Sequence, residues 1–221
     1  MASKQYFHKL MEERHSVRYF LSKEIPKDVL KKIISTSLLS PSWGNSQPWN
    51  IYVATGKTLS EIRKIWEEKS KQGIKGYADM DPGHRTSFNE RSQKFMEVLT
   101  KFAFEESPKD PNCRSFKDVQ SILFNAPAVV YLTLPKGYNK YSVLDLGGLE
   151  VAIMLAAKDL GVDSIPAYLT IIYPDVLRKH LKIPDKEDII IGIALGYEED
   201  NKINKYRAKK MTIDECCHFY D

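Results

Sequence analysis

Three clusters in this 221-residue chain have residue types and spacings suited to chemistry. Near the start, Arg14-His15-Ser16-Val17-Arg18 sets a hydroxyl between two guanidiniums. In an extended segment Arg14, Ser16 and Arg18 share one face, because side chains alternate along a strand. Guanidiniums grip phosphate or carboxylate oxygens two at a time, so the set suits an anion. Taken alone, the pentapeptide reads more simply as a solvated basic turn. The second cluster is Ser40-Pro41-Ser42-Trp43-Gly44-Asn45-Ser46-Gln47-Pro48-Trp49, dense in hydroxyls, amides and indoles. Those groups suit a planar polar ligand, although an ordinary helix-to-strand connection also uses Pro and Gly. The third is Asn204-Lys205-Tyr206-Arg207-Ala208-Lys209-Lys210, which by itself reads as a solvated basic face.

Catalysis by side chains alone finds no motif. There is no GxSxG elbow, HExxH, P-loop or GxGxxG. The cysteines are Cys113, Cys216 and Cys217, an odd set with no CxxC pair or zinc-ligand spacing. They read as plain thiols of a reducing, cytoplasmic setting, with no metal. Lys plus Arg is 33 against 29 for Asp plus Glu, a net charge of +4 that is too mild to argue for nucleic acid. The first twenty residues are charged throughout and lack a signal-peptide core, and no apolar run approaches the ~20 residues of a membrane span.

The elements that must position these clusters follow from periodicity. A helix is expected over 26–39, opened by Pro26, with Val29, Leu30, Ile33, Ile34 and Leu38 on one face. WNIYVA (49–54) reads as a strand, followed by an amphipathic helix carrying Leu59, Ile62, Ile65 and Trp66. Residues 70–118 are the least regular part, with a helix expected over 85–105. NAPAVVYLTL (125–134) reads as a buried strand. Residues 143–160 form a nearly apolar helix that must be buried in its own domain or against another subunit. Strands are expected over 163–172 and 188–196, with a short helix over 174–182. Helices alternating with strands imply one α+β domain over 1–221, a sandwich with a mixed four- to five-stranded sheet flanked by helices.

In order and in detail, these segments resemble the nitroreductase family. RHSVRYF is similar to its Arg-x-Ser-x-Arg/Lys opening, and SPSWGNSQPW to its Pro-Ser-x-x-Asn-x-Gln-Pro-Trp loop. The apolar helix, Ile165-Pro166, IIIGIALGY and the basic tail follow in the family's order. The resemblance implies a homodimer that binds FMN at the subunit interface. It also implies that two electrons pass from NADH or NADPH through flavin N5 to a nitroaromatic, quinone or similar small acceptor. No side chain would then be the nucleophile. By the same resemblance, Arg14, Arg207 and Lys210 hold the phosphate, with His15 beside them. Ser16 bonds the ribityl chain or phosphate, and Arg18 faces the pyrimidine edge. Pro41, Ser42, Trp43 and Asn45 come from the second subunit, and a backbone amide of Pro166-Ala167-Tyr168 faces N5. Asn89 and Arg91 resemble a further flavin-contacting stretch of some relatives. Residues 70–118 would form a variable lid, with Tyr77, Phe88, Phe95 and Phe102 as candidate lining. Residues 200–221 would embrace the partner, anchored by Phe219 and Tyr220. Two other readings share these residues: a specialised relative (dehalogenase, enoate-type or flavin-modifying enzyme), and a flavin store or redox sensor without turnover.

Overall fold

A computed structural model describes residues 6–220. The chain opens with α1 (Tyr6–Glu13), an element absent from the sequence expectations, and α2 (Lys27–Ser37). Next come β1 (Asn50–Thr55), α3 (Gly56–Lys71), α4 (Glu90–Lys101) and α5 (Phe116–Ser121). The second half holds β2 (Ala128–Pro135), α6 (Lys140–Asp159), β3 (Asp163–Pro166), α7 (Pro174–Leu181), β4 (Glu187–Gly196) and the short α8 (Ile213–Cys216). No described helix is long and apolar enough to cross a membrane.

The sheet order is β1-β2-β4-β3. The expected mixed sheet is corrected: all three strand pairings are antiparallel, and the one parallel link among the described residues is the isolated bridge Ser16↔Ser164. β2 and β4 lie in the middle and are apolar on both faces, so they read as continuous hydrophobic runs. One face packs on α2 and α6 through Ile33, Trp49, Leu146, Leu149 and Ile153. The other packs on α3, α5 and α7 through Leu59, Ile62, Trp66, Val119 and Leu177. The buried Glu187 carboxylate ties sheet to strand edge, accepting from Asn50 Nδ2 and Tyr52 Oη at 3.0 Å each and from Thr133 Oγ1 at 2.5 Å.

Several other expectations are revised. The strand expected over 163–172 ends at Pro166, and Tyr168–Thr170 form a 3-10 turn. The strand expected from Asn125 starts at Ala128. Leu123, Phe124 and Asn125 all have positive φ (52°, 60° and 57°) and make a left-handed turn instead. That turn holds the N-terminal arm, since Phe20 N–H donates to Phe124 O at 3.0 Å and Asn125 Nδ2 donates to Phe20 O at 2.9 Å. The helix expected over 85–105 is broken into a 3-10 turn at Arg85–Ser87, α4, and a π-turn at Phe102–Glu106.

Helix α6 is buried on only one side. Leu146, Leu149, Ile153 and Ala157 face the core, while Tyr141, Leu144, Gly148 and Val151 form an exposed stripe at three- and four-residue spacing. Neither Gly147 nor Gly148 has a neighbour within 4 Å of where a Cβ would stand.

Gly196 ends β4 where the N-terminal arm crosses it. A Cβ there would lie 2.7 Å from Phe20 Cδ1 and 2.8 Å from Pro127 Cδ. Both neighbours belong to packed segments, so Gly196→Ala is expected to cost about 1–3 kcal/mol by overpacking. At this chain length that lowers Tm by about 3–10 °C. Thermal unfolding checks it, and an unchanged Tm means the arm is looser than this packing implies.

Candidate functional site

The N-terminal arm enters the site from the end of α1. Val17 N–H donates to Ser164 O at 3.1 Å, and this link sets Ser16 beside the start of β3. The arm thus runs along the free edge of β3 toward Pro166. Arg18 lies inward and is 7% exposed. Its Nη1 donates to Ser16 O at 2.9 Å, and its guanidinium carbon sits 5.4 Å from the Phe116 ring centroid and 5.2 Å from that of Tyr206. Phe102 stacks on Tyr206 at 4.3 Å, closing an aromatic box around the cation.

The tail segment is bound into the same place by Asn204, which is fully buried. Its Oδ1 accepts from Arg18 N–H (2.7 Å) and Tyr19 N–H (3.1 Å), and its Nδ2 donates to Tyr19 O and Glu199 O (2.8 Å each). Arg207 follows, anchored by Nη1 on Asn204 O at 2.7 Å. Burial pulls the Arg18 guanidinium down to about 10, an effect Tyr206 opposes and the nearby Arg207 charge reinforces. A guanidinium carries five donors and no acceptor, so one protein carbonyl leaves Arg18 short of partners.

The charges around this box are uneven. Lys202 pairs with Asp110 at 2.7 Å and Lys205 with Asp200 at 2.8 Å. Among the described residues Arg14, Arg18, Arg207 and Lys210 make no such pair. Arg18 and Arg207 therefore lie near each other as cations without an ion-paired carboxylate, with Ser16 O on Arg18; Arg14 precedes Arg18 on the arm, and Lys210 lies on the exposed tail. The Ser164 Oγ, beside Ser16, is buried without a hydrogen-bond partner. This donor set fits a doubly charged phosphate. His15 points away from it. Its Nδ1 contacts Glu13 O at 2.9 Å and its Nε2 lies 3.2 Å from Glu198 Oε2, off hydrogen-bond geometry. The arm is fastened just past the end of β4 by Leu21 N–H, which donates to Tyr197 O at 2.9 Å.

Within Pro166-Ala167-Tyr168 the donor is narrowed. Proline has no N–H, and Ala167 N–H is engaged by Gly192 O at 2.9 Å. The next amide is that of Tyr168, at the start of the 3-10 turn.

The loop of Pro41, Ser42, Trp43 and Asn45 is elsewhere. It precedes β1, on the opposite edge of the sheet from β3, three strand spacings or about 14 Å away. The loop is stiff: Trp43 N–H donates to Asp145 Oδ2 at 3.0 Å, and Gln47 N–H donates to Ser42 Oγ at 3.0 Å. Gly44, Asn45 and Gln47 have positive φ of 57°, 58° and 43°, a turn that Gly and Asn tolerate best. Trp43 is 65% exposed and so is not core, whereas Trp49 is buried. Asp145 places the loop near the start of α6, and the Lys158–Asp163 ion pair (3.0 Å) places the arm and β3 near its end. The separation along the helix is about 20 Å. One chain thus brings together the arm, β3 and the tail, but not the loop.

Of the lid candidates, Tyr77 and Phe88 are exposed, Phe95 is half-buried, and Phe102 belongs to the aromatic box. Asn89 caps α4 by accepting from Ser92 N–H, and Arg91 donates to Glu215 O at 3.0 Å, so α4 touches the tail. Cys113 is half-buried, and burial raises its thiol pKa, which lowers its thiolate fraction. The sequence did not single out Asp145, Phe116 or Ser164. Asn204 was inside a noted run, but only its burial reveals its role.

The family model described as the nitroreductase family matches residues 11–197, a span that holds the arm, the loop and all four strands. The chain belongs to the nitroreductase family. It is 26% identical over 217 residues to a 4-nitrobenzoate reductase of Pseudomonas putida, covering 96% of this chain and 95% of that one. It is 25% identical to a chloronitrobenzene nitroreductase of Comamonas testosteroni, covering 99% of each. The fold is also that of the FMN-dependent nitroreductase NfnB from Mycobacterium smegmatis, solved in complex with NADPH. The TM-score is 0.87 at 22% identity, over 98% of this chain and 99% of that one.

Proposed function

We propose that this chain works as a homodimer that reduces nitroaromatic or quinone acceptors at the expense of NADPH or NADH. It is an FMN-dependent oxidoreductase. When bound, FMN supplies the redox chemistry, taking two electrons from the nicotinamide and passing them to the acceptor. The residues of the chain bind and orient. Arg14, Ser16 and Arg207 hold the phosphate. Arg18, buried and without a counter-anion, favours negative charge on the ring system beside it. The Tyr168 N–H is the donor aimed toward N5. The observation that carries this reading is the set of cations left without carboxylates beside Ser16, while neighbouring lysines are paired.

The dimer follows from α6. Its exposed stripe is apolar and centred near Gly148, where another backbone can approach closely. Two copies packed antiparallel on this stripe bring the start of one α6 to the end of the other. The Pro41–Asn45 loop of each chain then meets the Arg14–Arg18 arm of its partner, completing two sites by one two-fold axis. The exposed tail, with Met211, Ile213, Phe219 and Tyr220 outward, is the segment that reaches the partner. The tail expectation extends to Asp221, which lies outside the described residues. The free cysteines fit a cytoplasmic setting.

The deciding experiment is an absorbance spectrum of the purified protein, followed anaerobically as NADPH and then NADH is added. Flavin bands near about 450 nm that bleach, and return with 4-nitrobenzoate or a quinone, support the reading. A colourless protein that cannot be reconstituted with FMN overturns it. Bands that resist both donors favour storage or sensing.

A cut after residue 200 would remove Ile203 and Asn204, both fully buried, and so would damage the domain itself. A cut after Lys210 spares them. It is expected to weaken the dimer while leaving the unfolding free energy of the single chain within about 0.5 kcal/mol, as for other exposed changes. Sedimentation across a dilution series reads this. An unchanged dissociation constant removes the tail from the interface.

A further inference from the structure

Arg18 is a buried cation for which the chain provides no carboxylate. Among the described residues it makes no ion pair, and the one acceptor for its guanidinium is Ser16 O at 2.9 Å. A charge buried in this way is costly unless other groups attend to it. Two rings do so. The guanidinium carbon lies 5.4 Å from the Phe116 centroid and 5.2 Å from that of Tyr206, both within cation–π range. Phe102 braces both rings, stacked on Tyr206 at 4.3 Å and 17° and edge-on to Phe116 at 5.9 Å and 82°. Phe102 and Tyr206 also wall a cleft of about 390 Å³ that holds Glu106 and Asp110. The rings therefore stand between the guanidinium and those carboxylates, and Asp110 is itself taken by Lys202.

We infer that Phe116, Tyr206 and Phe102 are positioning residues that hold the Arg18 guanidinium as an uncancelled charge, and so set how strongly the site prefers reduced over oxidised FMN. This rests on the flavin-dependent reading above, in which Arg18 faces the ring system. A carboxylate in the place of these rings would hold the guanidinium equally well. The pair would then be neutral overall and would offer little to an anion beside it. A ring face attracts a cation through its quadrupole and carries no net charge. The positive field of Arg18 is thus left for the bound group, in surroundings of low dielectric where it acts most strongly. Reduced flavin gains negative charge on its pyrimidine side, so the benefit falls on the reduced form.

The readout is the ratio of FMN dissociation constants, oxidised over reduced. It is obtained from the reduction potential of the bound flavin against that of free FMN, by anaerobic equilibration with a reference dye. Titration of the apoprotein with oxidised FMN gives the oxidised constant directly. Phe116→Leu and Tyr206→Leu are each expected to lower the ratio by about 2- to 30-fold, the range of cation–π contacts from exposed to desolvated. Tyr206→Phe keeps the ring and stays within about twofold of wild type. Arg18→Met lowers the ratio most, and adding Phe116→Leu to it causes no further fall, because the ring acts only through the cation. A ring that merely fills space weakens both redox forms alike. A ratio unmoved in both leucine variants, whatever their Tm, therefore overturns the inference. It is equally overturned if Tyr206→Phe falls as far as Tyr206→Leu, if Phe116→Leu keeps its effect on top of Arg18→Met, or if Arg18→Met leaves the ratio unchanged. Failure of the flavin reading shows earlier and differently, as wild-type apoprotein that takes up no FMN.

Discussion

Replacing Arg14 and Arg207 together with alanine is expected to raise the FMN dissociation constant by about two to four orders of magnitude. A hydrogen bond to a charged group contributes about 1.5–3 kcal/mol, and about 1.4 kcal/mol is tenfold in affinity. Each single replacement should therefore cost about 10- to 100-fold. Neither side chain pairs with a carboxylate among the described residues, so no ion pair is broken by removing them. Arg207 gives up only its bonds to Asn204 O and Tyr206 O. Fold stability should thus move by less than about 1.5 kcal/mol while cofactor affinity collapses. Titration of the apoprotein, followed by quenching of flavin emission, measures the change. A shift below threefold in the double variant would place the phosphate elsewhere. Raised salt should weaken the wild type toward the variants, because part of the attraction is screened.

Asn204→Ala is expected to be the most destabilising single substitution in the tail, at about 3–5 kcal/mol. The fully buried amide satisfies two backbone N–H groups and two carbonyls, on residues 18, 19 and 199. Alanine satisfies none of them. Each orphaned group costs about 1–3 kcal/mol when buried, and water entering the gap returns part of that. The corresponding fall in Tm is about 6–20 °C. FMN affinity should fall with it, because the arm and Arg207 lose their common anchor. Urea unfolding gives the stability change, and a cost under 1 kcal/mol would mean that the tail is not clamped in solution as it is here.

Much of the sheet and its helices was legible from hydrophobic period. Continuous apolar runs announce central strands, and residues 128–135 and 187–196 are both. The limits of legibility lie where backbone geometry departs from propensity. In Leu123-Phe124-Asn125 only Asn favours a left-handed turn; the bulky pair avoids it and is held there by burial in the core, by Arg63 donating to Ile122 O and Ala126 O, and by the Phe20 contacts. The π-turn at Phe102–Glu106 is hidden by an ordinary helical pattern. Strand direction was also out of reach, because alternation fixes faces but not neighbours. For the candidate site, Arg14, Ser16 and Arg207 could be named only through the family resemblance, since their types and spacing alone read as solvated basic segments. Asn204 could not be separated from its solvated lysine neighbours, as burial is a property of the whole fold. That Arg18 sits in a box of Phe102, Phe116 and Tyr206 required three segments far apart in the chain to meet.

The position of the loop at one end of α6 and the arm at the other has a consequence for the economy of the cell. If the arm and the loop serve one cofactor site, each chain carries two half-sites that cannot meet within it. On the two-chain reading, cofactor capture is second order in protein: halving the supply of chains more than halves the supply of loaded sites when the pool is dilute. Newly made chains below that threshold would hold no flavin and draw none from the common pool. Saturation with coenzyme would then follow the abundance of the polypeptide rather than of the vitamin, and partner exchange between sequence variants would scramble sites that no single chain owns.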